Sequence, residues 1–207
     1  MGRAKIQRKT LSVDMTAMSD VAFLLLNFFV MTSVFKPEDP LNVKLPSSTV
    51  STQIPEKDAT ILTVGKNSIV FFETIGKDIK LATLEKMGEQ YKIEFTAEEK
   101  KRFANIASFG IPIQNLKTYL MLDKEQRKKS NLQTGIPADA KNSQLAAWIL
   151  NSRMAIAELH DTPVKLAVKA DAEEQYSDIK KIIDILQDQK INKFSLITNQ
   201  ESTKSFD

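Results

Sequence analysis

The chain has 207 residues, a net charge of +3 and no cysteine. That length allows one or two domains, and so small a charge gives no broad field of the kind a nucleic-acid surface needs. With no thiol and a single histidine, His160, a disulfide scaffold, a Cys-based metal site and a multi-His metal site are all excluded.

Residues 1–13 hold Arg3, Lys5, Arg8 and Lys9 and no acid. Residues 14–35 follow as the one long apolar run, Met15-Thr16-Ala17-Met18-Ser19-Asp20-Val21-Ala22-Phe23-Leu24-Leu25-Leu26-Asn27-Phe28-Phe29-Val30-Met31-Thr32-Ser33-Val34-Phe35. A spanning helix needs about 20 residues at roughly 1.5 Å each, and this run supplies them. Val21 to Phe35 alone is short enough for a signal-peptide core. No small-x-small cleavage site follows it, however; Lys36-Pro37-Glu38-Asp39-Pro40 comes at once. The reading is a retained transmembrane helix. Cations gather on its N-terminal side only, so the N-terminus is expected in the cytoplasm and the remainder outside it.

Asp20 lies inside that run. A carboxylate at the centre of a bilayer costs roughly 2.5–3.5 kcal/mol on insertion scales, a cost that anchoring alone does not require. At 100° per residue Asp20, Phe23, Leu24, Asn27 and Met31 fall on one stripe, with Thr16 at its edge. Polar groups in lipid seek partners, so this stripe is expected to face protein or a watered path. Asp20 can gain and lose a proton well inside the span, whereas Asp14 lies nearer the cytoplasmic face, which makes Asp20 the candidate coupling residue. A single-span chain cannot enclose a proton path, so further copies or a multi-span partner are required. The plainer alternative is that Asp20 caps a helix that begins at Val21.

Residues 36–59 read as a Pro-, Ser- and charge-rich linker with a short extended piece, Leu41 to Leu45. A domain over residues 60–200 follows, and 201–207 form a tail. Thr60 to Val64 and Ser68 to Phe72, around Gly65-Lys66-Asn67, predict a strand hairpin. Residues 77–160 predict a helical insertion. Thr96-Ala97-Glu98-Glu99 has capping-box spacing, and Gly110-Ile111-Pro112 and Gly135-Ile136-Pro137 interrupt the helices. Gln144 to Leu159 is helical, with Trp148 expected as a core anchor. His160 stands in a polar, Pro-ended stretch and is expected on an exposed loop. Val164 to Val168 predicts a strand. Asp171 and Glu174 are spaced as a capping pair, Ile179, Ile182, Ile183 and Leu186 form the buried stripe of one helix, and Lys193 to Thr198 predicts the last strand. The fold class is one N-terminal transmembrane helix plus an α/β (α+β) domain with a small mixed sheet. Since every predicted strand lies outside 80–158, the sheet is expected to tolerate removal of that stretch. No phosphate loop, Ser/His/Asp set or metal cluster appears, so no enzyme is predicted.

The stretch Val13-Asp14-Met15-Thr16-Ala17-Met18-Ser19-Asp20-Val21-Ala22-Phe23-Leu24-Leu25-Leu26, then Phe28-Phe29-Val30-Met31-Thr32-Ser33, resembles the ExbD/TolR family of biopolymer-transport proteins. Leu41-Asn42-Val43-Lys44-Leu45-Pro46 is similar to the extended segment that follows the span there. Pro163 to Asp171, Tyr176 and the helix to Gln189 are similar to the family's last strand-helix-strand. Two residues depart from the family's pattern: Ala17 stands where proline is usual and Asn27 where an apolar residue is usual. Residues 77–160 are also longer than their usual counterpart.

The resemblance implies a subunit of an inner-membrane ion-driven motor. Two copies of this chain would thread a pentamer of an ExbB-like multi-span subunit. Asp20 would be the proton-coupling carboxylate, protons the coupling ion with no other cofactor, and a periplasmic domain would pass energy to a TonB-like protein. A TolR-like role in envelope integrity, a gliding or secretion motor, and a membrane anchor without ion coupling are the alternatives. Asp20 separates the last of these, because an anchor tolerates Asn there.

Overall fold

The computed structural model describes residues 15–32, 47–48, 57–65, 69–130, 132–138, 143–171, 176–197 and 199–200. It divides into two compact units, Met1–Lys36 and Pro37–Asp207, each described here by itself. The first contains helix α1, Met15–Thr32. The extended piece at 41–45, the hairpin turn at 66–67, Glu174 and the tail lie outside the described residues.

In the second unit, β1 (Ser47–Ser48) is one half of a two-residue parallel ladder whose other half is β7 (Asn199–Gln200). The main sheet is built from β2 (Ala59–Gly65), β3 (Ile69–Thr74), β4 (Ser108–Phe109), β5 (Lys165–Ala170) and β6 (Ser195–Ile197), in spatial order β4-β3-β2-β5-β6. β2 runs antiparallel to β3, and β3 to β4, while β5 runs parallel to both of its neighbours, β2 and β6. The sheet is therefore mixed. The four strands read from the sequence are all present, with ends moved by one or two residues. Every residue of β2 is buried, as expected of a central strand apolar on both faces. Leu62 and Val64 join the main core, and Ile61 joins a small cluster with Ala167 and Ile197 on the opposite face.

The helices are α2 (Lys77–Tyr91), α3 (Ala97–Ala104), α4 (Ile113–Met121), α5 (Lys124–Lys129), α6 (Gln144–His160) and α7 (Tyr176–Asp188). Their ends follow local chemistry. The capping box of α3 is formed: Glu99 N–H donates to Thr96 Oγ1 at 3.3 Å and Thr96 N–H to Glu99 Oε2 at 2.8 Å. Ser143 Oγ accepts from Ala146 N–H at 3.0 Å and starts α6. α4 ends against two guanidinium groups, with Arg102 and Arg127 both donating to the carbonyl of Leu120. These satisfy acceptors that a helix end leaves without an intrahelical donor. α7 is described from Tyr176, five residues past Asp171. Asp171 itself is buried, and its N–H extends the sheet by donating to Val64 O at 3.0 Å.

Residues 77–160 are not an appendage to the sheet. They supply edge strand β4, a fifth strand the sequence did not disclose, and most of the aromatic core. Trp148 of α6 is fully buried, with its ring 4.9 Å from Phe109, 5.6 Å from Phe72 and 6.1 Å from Phe103. Such pairs contribute roughly 0.5–1.5 kcal/mol each beyond burial itself. The expectation that 80–158 could be removed is corrected by this packing: Phe72 of β3 has lost its cover once Phe103, Phe109 and Trp148 are gone. Gly110 fits the same close packing, since a Cβ there would lie 3.0 Å from the ring of Phe71.

Candidate functional site

Among the described residues, α1 is the one helix long and apolar enough to cross a membrane. Its 18 residues span about 27 Å at 1.5 Å per residue, close to the roughly 30 Å of a bilayer's hydrocarbon. Asp20 is the sixth helical residue, a full turn inside the described start, so it does not cap a helix beginning at Val21. All side chains of α1 are exposed, including Phe23, Leu24 and Met31 of the stripe. Lipid or another chain must therefore cover them.

The polar residues of α1 are not alike. Ser19 Oγ donates to Met15 O at 2.9 Å and Thr32 Oγ1 to Phe28 O at 2.7 Å, the back-bonding that lets hydroxyls live in a helix interior. Thr16 also has an interaction of its own. Asp20 and Asn27 make no side-chain hydrogen bond among the described residues. They lie seven residues apart, which is nearly two turns, so one face carries both at a separation of about 10.5 Å. The carboxylate and the amide are thus the two groups of the span that demand something outside the helix.

The second unit holds a different polar cluster. His160 is the last residue of α6 rather than a loop residue, which corrects the reading from sequence. Its Nδ1 meets Asp58 Oδ1, and its Nε2 lies 2.9 Å from Asp78 Oδ2. Asp58 directly precedes β2, and Asp78 sits in the first turn of α2. The ring therefore ties together three places distant in sequence. Neutral imidazole has one N–H, whereas a carboxylate on each ring nitrogen needs two donors, so the arrangement calls for imidazolium. The hydrogen bond to Asp58, then that to Asp78, raises the His160 pKa above the ordinary histidine value. Burial alone would raise Asp78, but its hydrogen bond to His160 and those to backbone N–H groups outweigh this and hold its carboxyl below the usual range. The two carboxylates sit on opposite edges of the ring and do not converge on one point. Among the described residues no group of His, Asp and Glu could hold a metal.

Beside Trp148, a small cavity is lined by Phe72, Thr74, Lys80 and Phe109 among others. Burial pushes the Lys80 ammonium below the usual lysine range, and its Nζ donates to Ile106 O at 2.5 Å and to Ala107 O at 3.3 Å. These bonds tie α2 to the segment leading into β4. Nothing here assembles a nucleophile, a base and an oxyanion site.

The family model described as "Biopolymer transport protein ExbD/TolR" matches residues 7–201. The chain belongs to the ExbD/TolR family. The match takes in α1 with Asp20, the whole sheet and the long helical stretch between β3 and β5. Comparison with curated proteins and with solved structures gives no match. ExbD/TolR proteins are inner-membrane motor subunits of TonB and Tol systems and not enzymes, and they work with ExbB- or TolQ-type and TonB- or TolA-type partners. This agrees with the membrane-length helix near the N-terminus, the one such helix among the described residues, and the mixed α/β domain after it.

Proposed function

We propose that this chain is the ExbD-like subunit of a motor that uses the proton-motive force to energise TonB-dependent transport across the outer membrane. Asp20 is its proton-coupling carboxylate. The observation that carries the reading is the position of Asp20: an ionisable side chain well inside the membrane-length helix, on the same face as Asn27. One charge crossing 100 mV of membrane potential releases about 2.3 kcal/mol, and only a group that changes charge can take up that work. The stripe of Thr16, Asp20, Phe23, Leu24, Asn27 and Met31 faces the helices of an ExbB-like multi-span subunit, a pentamer around two copies of this chain. The basic N-terminus is cytoplasmic, and the α/β domain lies in the periplasm, where it engages a TonB-like protein.

Asp20→Asn tests the reading. It keeps size and polarity and removes the ability to change charge. The expected result is a complex that still co-purifies with its multi-span partner, in cells that no longer grow on an iron source requiring active outer-membrane uptake. Normal assembly with uptake at the parental rate would end the motor reading and leave a membrane anchor. Loss of iron uptake without envelope leakage supports a TonB-linked role, and envelope leakage a Tol-linked one.

A further inference from the structure

The charge of the chain is unevenly placed. Residues 97–130, from the start of α3 to the residue after α5, hold 8 Lys and Arg against 4 Asp and Glu. With the basic residues 1–13 set aside as well, the rest of the sequence has 17 Lys and Arg against 22 Asp and Glu. The cationic excess of the α/β unit is therefore gathered on α3, α4 and α5. Its centre is the end of α4. Arg102 Nη1 donates to the carbonyls of Leu120 and Met121 at 3.0 and 3.1 Å, and Arg127 donates to those of Tyr119 and Leu120, both at 3.1 Å. The two guanidinium groups thus meet at one oxygen, and neither forms an ion pair with a carboxylate among the described residues. Burial first, opposed by Tyr119 and reinforced by the Arg102 charge, holds the Arg127 guanidinium below its usual range. An anion beside the pair would relieve that repulsion. Met121, whose carbonyl Arg102 holds, points a flexible apolar side chain outward and is 66% exposed.

Arginines at a helix C-terminus are also plain caps, and capping accounts for their bonds. It does not account for the gathering of charge on three helices or for the exposed methionine at its centre. That combination suits a lipid surface. An apolar side chain enters the boundary between headgroups and acyl chains, while cations around it meet the phosphates of anionic lipids. We infer that the end of α4 is a membrane-surface contact: Met121 enters the headgroup layer of the bilayer that holds α1, and Arg102, Arg127 and the lysines of α3 to α5 face its anionic lipids. The tether favours this occupant. Between Thr32, the end of α1, and Ser47, the start of β1, residues 33–46 can extend no further than about 50 Å. A bilayer is thus always close to the α/β unit, whereas an acidic protein has to be brought to it. The inference needs α1 in a membrane, but neither a role for Asp20 nor a particular side of the membrane.

The chain has no cysteine, so one introduced by substitution is a unique labelling site. Full-length Met121→Cys, carrying an environment-sensitive fluorophore, is reconstituted through its span into vesicles of phosphatidylcholine alone or mixed with phosphatidylglycerol. Lipid spin-labelled at the headgroup serves as quencher. Both leaflets have the same composition, so the direction of insertion does not matter. Leu196→Cys is the control: Leu196 is exposed too, but it lies on β6, at the opposite edge of the sheet from β4, which leads into α4. Emission at 121 should shift to the blue and be quenched, roughly twofold or more strongly with phosphatidylglycerol than without. Salt at about 1 M, which screens charges beyond roughly 3 Å, should return the signal to the phosphatidylcholine level. Lys101→Gln combined with Lys117→Gln should lower it as well, while leaving both arginines on their carbonyls. Because the label at 121 replaces the methionine, Thr118→Cys, one turn earlier on α4, reports the same contact with Met121 in place, and adding Met121→Gln should weaken it. Circular dichroism checks that each variant is folded. Equal quenching in the two lipids overturns the inference, as does quenching at 196 as strong as that at 121. Absence of quenching at both 118 and 121 overturns it too, and is the outcome expected of a patch that serves an acidic protein.

Discussion

His160 Nε2 stands 2.9 Å from Asp78 Oδ2, joining the end of α6 to the start of α2 across more than eighty residues of chain. With Asp58 on the other ring nitrogen, the cluster is one imidazolium between two carboxylates. Because the folded-state pKa of His160 is raised, its contribution to stability is complete below about pH 6.5, the unfolded value, and is lost as pH rises through the folded value. Asp78, held low, contributes above its unfolded range and loses that contribution in acid. Thermal melts of the full chain in detergent should therefore show this contribution to stability falling as pH rises above about 6.5. Glu158 and Asp161 flank the ring in sequence and Lys77 neighbours Asp78, so the comparison is with His160→Gln, which leaves all of them in place. The variant should lose that part of the slope. An unchanged slope would show that the ring carries no proton between its carboxylates.

Trp148→Ala should destabilise the domain by roughly 3–5 kcal/mol, the usual cost of emptying a large aromatic site in a core. Trp148→Phe should cost less, since it keeps a ring against Phe72, Phe103 and Phe109, and the indole Nε1 meets no acceptor among the described residues. Denaturant unfolding followed by circular dichroism reads both, because Trp148 is the sole tryptophan and its removal silences fluorescence. Equal and small losses would place the aromatic cluster outside the cooperative core.

These two clusters show which parts of the molecule could be read beforehand. Trp148, the Thr96–Glu99 box and the long strands have signals within a few residues of themselves, either an apolar period or a capping pattern. The stripe of α7 was legible for the same reason, although Ile185, absent from that stripe as read, is more buried than Ile183. β4 was not legible: two residues are too few to show alternation, and Ser108-Phe109 becomes a strand only because Phe72 and Glu73 of β3 pair with it. Nor was the clasp, since Asp58 and Asp78 lie 102 and 82 residues from His160. Asp20 and Asn27 were visible at once, their two-turn spacing being a property of the helix alone; the structure added that the neighbouring hydroxyls are spoken for.

Gly88 tests the packing at the end of α2. Alanine is the better helix former by about 0.8–1.0 kcal/mol, which alone predicts stabilisation. A Cβ at this site, however, would come 2.6 Å from the carbonyl oxygen of Ile93. That oxygen belongs to backbone already tied to the helix, because Ile93 N–H donates to Gly88 O at 2.8 Å. Overpacking of this kind costs about 1–3 kcal/mol, so Gly88→Ala should be destabilising on balance by about 1 kcal/mol. The midpoint of chemical denaturation decides it, and an increase in stability would mean that the turn after α2 yields freely.

The register of β2 has a consequence for how the protein comes into being. Its antiparallel neighbour β3 follows within a few residues, but its parallel neighbour β5 is more than a hundred residues further along, Ile61 lying opposite Ala167. During synthesis the hairpin can form early and must then wait, with an apolar edge open, until β5 has been made. Topologies dominated by such distant pairings fold slowly, and an unfilled strand edge is a template for another chain. Nascent copies made side by side would pass through a stage in which the wrong β5 is as available as the right one. Phe103 of α3, Phe109 of β4 and Trp148 of α6 all precede β5 in the chain and pack with Phe72 of β3, so they are available to give the half-built sheet a local core while it waits.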